Sequence, residues 1–213
     1  MTRDLYAELA AYTERDYELV EQRCMTAATE LAWMWPAYEG DLTAYYTDTD
    51  LYLFDLTRYQ TNLFENGVHK WLADMVPLNK WRVGLDWGGG IGEWTIILAQ
   101  AGVSMTYYDL PGPTRDYALW RFEREGVTVQ TPTEDPLLEH GRYDVIVAMD
   151  VLEHLPEPEP ARVMRRIGEH TNVMLCNPGE VKYNAFFPQH ISHYNPRPMW
   201  RPANGGYAWI RNT

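Results

Sequence analysis

Apolar residues recur at helical spacing through the first eighty positions; after Trp81 they gather into short runs separated by turns and polar stretches. Leu5, Leu9 and Tyr12 share one helical face, and Asp4 stands where a side chain accepts from the unpaired amides of a first turn. Thr13 predicts the cap of a longer helix carrying Tyr17, Val20, Cys24, Ala28 and Leu31, which Pro36 is expected to end. Glu39-Gly40-Asp41 reads as a turn. An aromatic segment follows with Tyr45, Tyr46, Tyr52, Phe54 and Leu56. A further helical run through Phe64, Val68, Trp71, Leu72 and Met75 is expected to stop at Pro77.

Beyond Trp81 the rhythm changes. Residues 82–86 predict a strand, followed by a glycine-rich turn and a helix over 95–101. Strands at 103–108, 127–130, 143–149 and 173–176 alternate with helices around 117–125 and 161–169. Such alternation builds right-handed βαβ units on a parallel sheet. Residues 190–194 and 207–211 are candidates for closing strands. The expected fold is α/β, a doubly wound and mostly parallel Rossmann-like sheet over residues 79–213. An N-terminal helical cap, or lid, occupies residues 1–78.

Composition narrows the function classes. The 213 residues are 46% hydrophobic and 23% charged, a globular balance that excludes a disordered or disulfide-built chain. Thirty acids against eighteen Lys and Arg give a net charge of −12, which disfavours a general nucleic-acid or anionic-membrane binder. Two cysteines, Cys24 and Cys176, form no C-x-x-C pair and build no thiolate zinc site. The charged N-terminus has no apolar leader and no stretch is long enough to span a bilayer, so a reducing cytoplasmic setting is expected. Nine Trp and fifteen Tyr are an unusual load, fit either for a core or for a ligand pocket.

The turn after the first strand reads Asp86-Trp87-Gly88-Gly89-Gly90-Ile91-Gly92, at the sheet edge where open α/β folds bind ligands. The dinucleotide spacing Gly-x-Gly-x-x-Gly fails, because Glu93 or Thr95 stands where the third glycine belongs. Glu93 is also expected to repel a pyrophosphate. A phosphate-binding Gly-Lys-Ser/Thr is missing as well. What does fit is Asp-x-Gly-x-Gly-x-Gly with an acid one helix and one strand later, at Asp109 in Tyr107-Tyr108-Asp109-Leu110. A carboxylate there accepts from both hydroxyls of a ribose.

This set resembles the class I S-adenosylmethionine-dependent methyltransferases over about residues 80–195. The segment Met149-Asp150-Val151-Leu152-Glu153-His154 is similar to the branch that contains the ubiquinone-biosynthesis O-methyltransferases. The resemblance implies S-adenosylmethionine as cofactor. It implies a cofactor site of Asp86, Gly88, Gly89, Gly90, Gly92, Asp109, Leu110 and Asp150, with Thr133 and Glu134 at the adenine position. Thr133-Glu134 departs from the family's Asp-Ala, and the family's C-terminal Gly-Phe arm has only a faint counterpart in Gly205-Gly206-Tyr207.

His154 is the candidate base, since its ordinary pKa lies near neutrality and it follows a cofactor-binding strand; Asp150 is its catalytic companion. The plainer reading is that His154 only packs at the next turn. Asp150, Glu153 and His154 stand at i, i+3 and i+4, one face if helical, and His190 or His193 could complete a divalent-metal site. That pattern is similar to metal-dependent RNA-terminal 2′-O-methyltransferases. The expectation is nevertheless metal-free chemistry, because flanking carboxylates equally raise the pKa of a histidine and orient it. Trp33, Trp35, Tyr45, Tyr46, Tyr52, Phe54 and Trp71 either cover the sheet edge and its ligand or form the cap's own core.

The reading is an enzyme that transfers a methyl group from S-adenosylmethionine to an oxygen or nitrogen of a small-molecule acceptor, with the oligomeric state open. One alternative is a metal-assisted RNA-terminal methyltransferase, which a basic strip of Arg162, Arg165 and Arg166 beside the site would favour. The other is a non-catalytic subunit that binds the cofactor.

Overall fold

The computed structural model describes residues 3–38, 41–139, 141–176, 187–192, 196–197, 199–202 and 207–211. Five helices come first: α1 (Leu5–Thr13), α2 (Tyr17–Tyr38), α3 (Leu42–Thr47), α4 (Leu51–Glu65) and α5 (Val68–Asn79). Asp4 caps α1 by accepting from the Ala7 amide at 3.0 Å, as expected. Thr13 is no cap. It sits in the last turn of α1 with its hydroxyl donating to the Leu9 carbonyl at 2.8 Å, and Glu14, in the left-handed region, ends the helix. Asp41 caps α3 in the manner of Asp4, accepting from Ala44 at 3.0 Å. Pro36 and Pro77 lie inside the final turns of α2 and α5 rather than ending them. So near a C-terminus a proline forfeits one backbone bond, and the packed face holds the rest.

The strands are β1 (Val83–Trp87), β2 (Ser104–Tyr108), β3 (Val129–Gln130), β4 (Val145–Val147), β5 (Val173–Leu175), β6 (Trp200–Pro202) and β7 (Ala208–Arg211). Their order is β3-β2-β1-β4-β5-β7-β6, parallel through β5 and antiparallel at β7 and β6. Helices α6 (Glu93–Gln100), α7 (Pro113–Arg124) and α8 (Glu159–His170) fill the crossovers. Chain order reverses between β1 and β4, which opens a crevice at their carboxyl ends. Residues 190–192 form no strand; the amides of Ile191 and Ser192 instead both donate to the Glu153 carbonyl, at 2.9 and 3.1 Å. Tyr194 lies outside the described residues.

The apolar run of β4 is buried on both sides, as a central parallel strand must be. Val145 and Val147 join Leu72, Trp94 and Leu98, while Ile146 faces Val163 and Ile167 of α8. A third core belongs to the cap, where Leu9, Val20, Cys24, Leu31, Tyr45 and Phe54 close on Ile91 and Tyr117. Cys24 and Cys176 sit in different cores.

Beneath the glycine turn lies a buried ionic network. Arg121 of α7 has no solvent exposure and donates to Glu8 of α1 at 2.9 Å, to Glu93 of α6 at 2.5 Å and to the Ile91 carbonyl at 2.7 Å. Arg3 reaches the same two acids at 3.1 and 3.2 Å. Burial alone would raise the Glu93 carboxyl, yet Arg121 and Arg3 hold it below the ordinary range. Glu93 therefore faces these cations, and the repulsion of a pyrophosphate expected from sequence does not operate; the glycine spacing is what excludes the dinucleotide. Two acids and two guanidiniums balance, so removing one partner strands a buried charge. Arg121→Met is expected to cost about 3–5 kcal/mol in urea unfolding, several times the effect of Arg162→Met, whose exposed pairing with Glu159 contributes little.

Candidate active site

A cavity of about 790 Å³ opens at the carboxyl ends of β1, β2 and β4 beneath α3 and α4. Its floor is the glycine turn, which is tied down on every side. The amides of Gly88 and Gly89 donate to the Tyr108 carbonyl at 2.7 and 3.1 Å, Tyr107 donates to the Gly90 carbonyl at 2.7 Å, and Arg121 takes the Ile91 carbonyl. Gly88, Gly90 and Gly92 all need positive φ, but for different ends. A Cβ on Gly92 would lie 2.6 Å from the Phe122 ring, so this glycine serves helix packing and does not line the cavity. A Cβ on Gly90 would meet only Leu56 Cδ1, at 3.0 Å, on the cavity side.

Asp109 is half-buried in the cavity wall. One of its oxygens accepts from the Gly90 amide at 2.5 Å and the other from Leu110 at 2.7 Å. Burial pushes the carboxyl up to about 6, against the pull of those two amides and of Arg115. Asp86 lies below the floor and outside the lining, accepting from the amide and hydroxyl of Thr95 at 3.2 and 2.7 Å. Its role is to fix the start of α6, and burial pushes it up to about 7. Thr133 and Glu134 are exposed and likewise outside the lining. Their neighbour Asp135 accepts from the Trp87 indole at 2.9 Å, and Trp87 does line the cavity.

Asp150 leaves β4 with φ 54, a left-handed turn, and only Leu152–His154 then form a single 3-10 turn. The helical face expected for Asp150, Glu153 and His154 is therefore not built. Asp150 lines the cavity with Tyr59, whose phenol burial and then the Asp150 charge push up, while Glu153 and His154 converge with His190, their ligand atoms within 4.8 Å of one another. His193 lies outside the described residues. Burial, and then the neighbouring His190, push His154 down to about 3; the upward shift expected from flanking carboxylates is overridden. His190 falls to about 4 by burial alone.

The aromatic residues divide. Tyr46 and Tyr52 line the cavity, Trp35, Tyr45 and Phe54 form the cap core, Trp71 packs on Tyr207, and Trp33 is 79% exposed. The cap also supplies polar groups that sequence reading missed. Asp55 and Tyr59, one turn apart on α4, both face the cavity, and their i, i+4 spacing was the available signal.

The family model described as a methyltransferase domain matches residues 58–211. The chain belongs to that methyltransferase family. The chain is 32% identical over 93 residues to the ubiquinone biosynthesis O-methyltransferase of Bordetella avium, covering 42% of this chain and 39% of that protein. It is 34% identical over 82 residues to its counterpart in Haemophilus ducreyi, covering 35% of each. The chain thus spans well under half the length of these relatives. A solved structure from Nostoc punctiforme, assigned as an O-methyltransferase, shares the fold with a TM-score of 0.52 at 14% identity, over 66% of this chain and 47% of that one. Among the described residues no helix is long and apolar enough to cross a membrane.

The glycines predict separable outcomes. Gly90→Val is expected to abolish calorimetric binding of S-adenosylhomocysteine while circular dichroism stays parental, since the strain is local at ~1–2 kcal/mol. Gly92→Val is expected to lower the melting temperature first, because Phe122 cannot withdraw from the core. Full affinity in a folded Gly90→Val protein would remove the turn from the site.

Proposed function

We propose that this methyltransferase moves a methyl group from S-adenosylmethionine to an oxygen or nitrogen of a small-molecule acceptor, with His154 taking the proton the acceptor sheds. One observation carries the reading: a single cavity has the glycine turn and Asp109 in one wall and His154 in another. At about 790 Å³ it falls in the upper part of the range of small-molecule sites, as a donor and an acceptor side by side require.

When bound, the donor supplies an electrophilic methyl on a sulfonium that needs no acid to leave. Alignment and proton handling fall to the chain. The bare backbone at Gly90 admits a close approach, and each Asp109 oxygen keeps a further lone pair for a ribose hydroxyl. Asp55, Asp109 and Asp150 give the wall a negative field suited to a cationic donor, and Arg58 is the one cationic side chain among the described lining residues. His154, held at about 3, is neutral at pH 7 and keeps a lone pair. So weak a base suffices, because an O–H or N–H turns strongly acidic as its heavy atom takes on a methyl group. Residues 1–78 serve as the lid that keeps water from the transfer.

A second reading is favoured by the convergence of Glu153, His154 and His190, which could hold a divalent ion that activates the acceptor as a Lewis acid. The nucleic-acid alternative gains nothing comparable. Arg162, Arg165 and Arg166 are not among the lining residues, and Arg162 is paired with Glu159 at 2.5 Å.

Asp109→Ala is expected to weaken binding of S-adenosylmethionine by two charge-assisted hydrogen bonds of ~1.5–3 kcal/mol each. Only the ionised carboxylate accepts from both hydroxyls, so affinity falls as pH drops through about 6. The fall is about tenfold one pH unit below that value. Calorimetry across pH checks both, and a flat profile with an unaffected variant would dismiss the ribose assignment.

Turnover is expected to survive chelation and to be lost in His154→Gln. Near-stoichiometric divalent ion in untagged protein, lost in Glu153→Gln, would put the metal reading in its place.

A further inference from the structure

The Nδ1 atom of His154 is shared by two oxygens from distant parts of the chain. The hydroxyl of Tyr46, on α3 of the cap, lies 2.7 Å away, and the backbone carbonyl of Gln189 lies 3.3 Å away. A phenol hydroxyl donates or accepts, but a carbonyl only accepts. A bare lone pair on Nδ1 would face the Gln189 oxygen with nothing between them, whereas a proton there satisfies both oxygens at once. Among the described residues the hydrogen bonds of His154 are both at Nδ1, and its ring lines the cavity. The neutral imidazole therefore carries its hydrogen on the side of the cap and its lone pair on the other nitrogen.

We propose that Tyr46 is a positioning residue of the transfer reaction, holding His154 in the Nδ1–H form so that Nε2 is left as the proton acceptor. This rests on the reading of His154 as the base. The helix that brings Tyr46 is itself seated on the donor side of the cavity. Next to Tyr46, Thr47 packs so closely on Gly112, in the loop after Asp109, that a Cβ there would lie 3.2 Å from the Thr47 Cα. One short helix thus spans from the loop beside the ribose-binding acid to the base. Seating α3 on the donor loop and setting the protonation pattern of the base become one event. An edge-to-face contact of the Tyr46 and His154 rings, with centroids 5.5 Å apart, fixes the approach. Burial also holds the Tyr46 phenol neutral far above its ordinary range, so it bonds to the imidazole without drawing charge onto it.

Tyr46→Phe keeps the ring and removes only the oxygen. Long-range proton–nitrogen spectra of the full chain at pH 7, with His154 assigned through its loss in His154→Gln, read the two nitrogens directly. The expected result is a protonated Nδ1 and a bare Nε2 in the parent. In a Tyr46→Phe protein of parental melting temperature the Nε2–H form rises about fivefold, the weight of one neutral hydrogen bond. Affinity for S-adenosylhomocysteine is expected to be unchanged. A parent already in the Nε2–H form overturns the proposal even without a folded variant. A Tyr46→Phe spectrum identical to the parent overturns it too, leaving Gln189 to set the form alone. Lost S-adenosylhomocysteine affinity does the same by assigning Tyr46 to the donor site. Failure of the base reading shows elsewhere, as turnover retained in His154→Gln, and the tautomer measurement needs neither acceptor nor turnover.

Discussion

The ion network around Arg121 is the constraint on which the cavity depends. A guanidinium with no solvent exposure persists only where carboxylates and a carbonyl take its protons, and here those partners come from three separate elements. Glu8 belongs to the first helix, Glu93 opens α6, and the Ile91 carbonyl belongs to the glycine turn itself. The same charges that join the cap to the sheet therefore fix the backbone of the turn from below. Tyr107 on the Gly90 carbonyl and Asp109 on the Gly90 amide complete the hold. A ligand arriving from above meets a floor whose polar groups are already set, which lowers the ordering cost of binding.

The cavity above that floor has two electrostatic characters. Around the glycine turn it is acidic, with Asp55 and Asp150 reached from the cap and from β4. Around His154 two histidines stay uncharged at pH 7, because desolvation pushes both well below their ordinary range, and Tyr46 and Gln189 lie against one nitrogen of His154. The first suits the cation of the proposed donor, and the second the proton acceptor proposed at His154. The cap contributes to both ends, through Asp55 and Tyr59 on α4 and through Tyr46 on α3.

The parts of this arrangement that were legible in the sequence are local ones. A strand, a glycine turn, a helix and an acid at the end of the next strand lie within one crossover, so spacing alone located the turn and Asp109. Asp4 was legible for the same reason, as a cap lies three residues from the amide it serves. Where a tertiary partner competed with a local rule, the local rule failed. Glu93 looked like a charge at the ligand and is instead held by Arg121, and Thr13 gave its hydroxyl to Leu9. The helical face drawn through Asp150, Glu153 and His154 dissolved because Asp150 turns left-handed toward Tyr59. Tyr46 and His154 stand 108 positions apart, and no periodicity reports a meeting made by packing the cap on the sheet.

The pairing of Glu8 with Arg121 spans 113 positions, and this has a consequence for how the chain reaches its final form. The first helix emerges well before α7 during synthesis, and until α7 has been made and docked Glu8 has only Arg3 beside it. Closing so long a loop before the contact is gained slows folding. The helices of the cap can form early on their own apolar faces, but their seat on the sheet waits for the first two βα crossovers. The cap and the floor of the cavity thus become native together, and a chain halted before α7 would expose the cap surface that Tyr117 later covers.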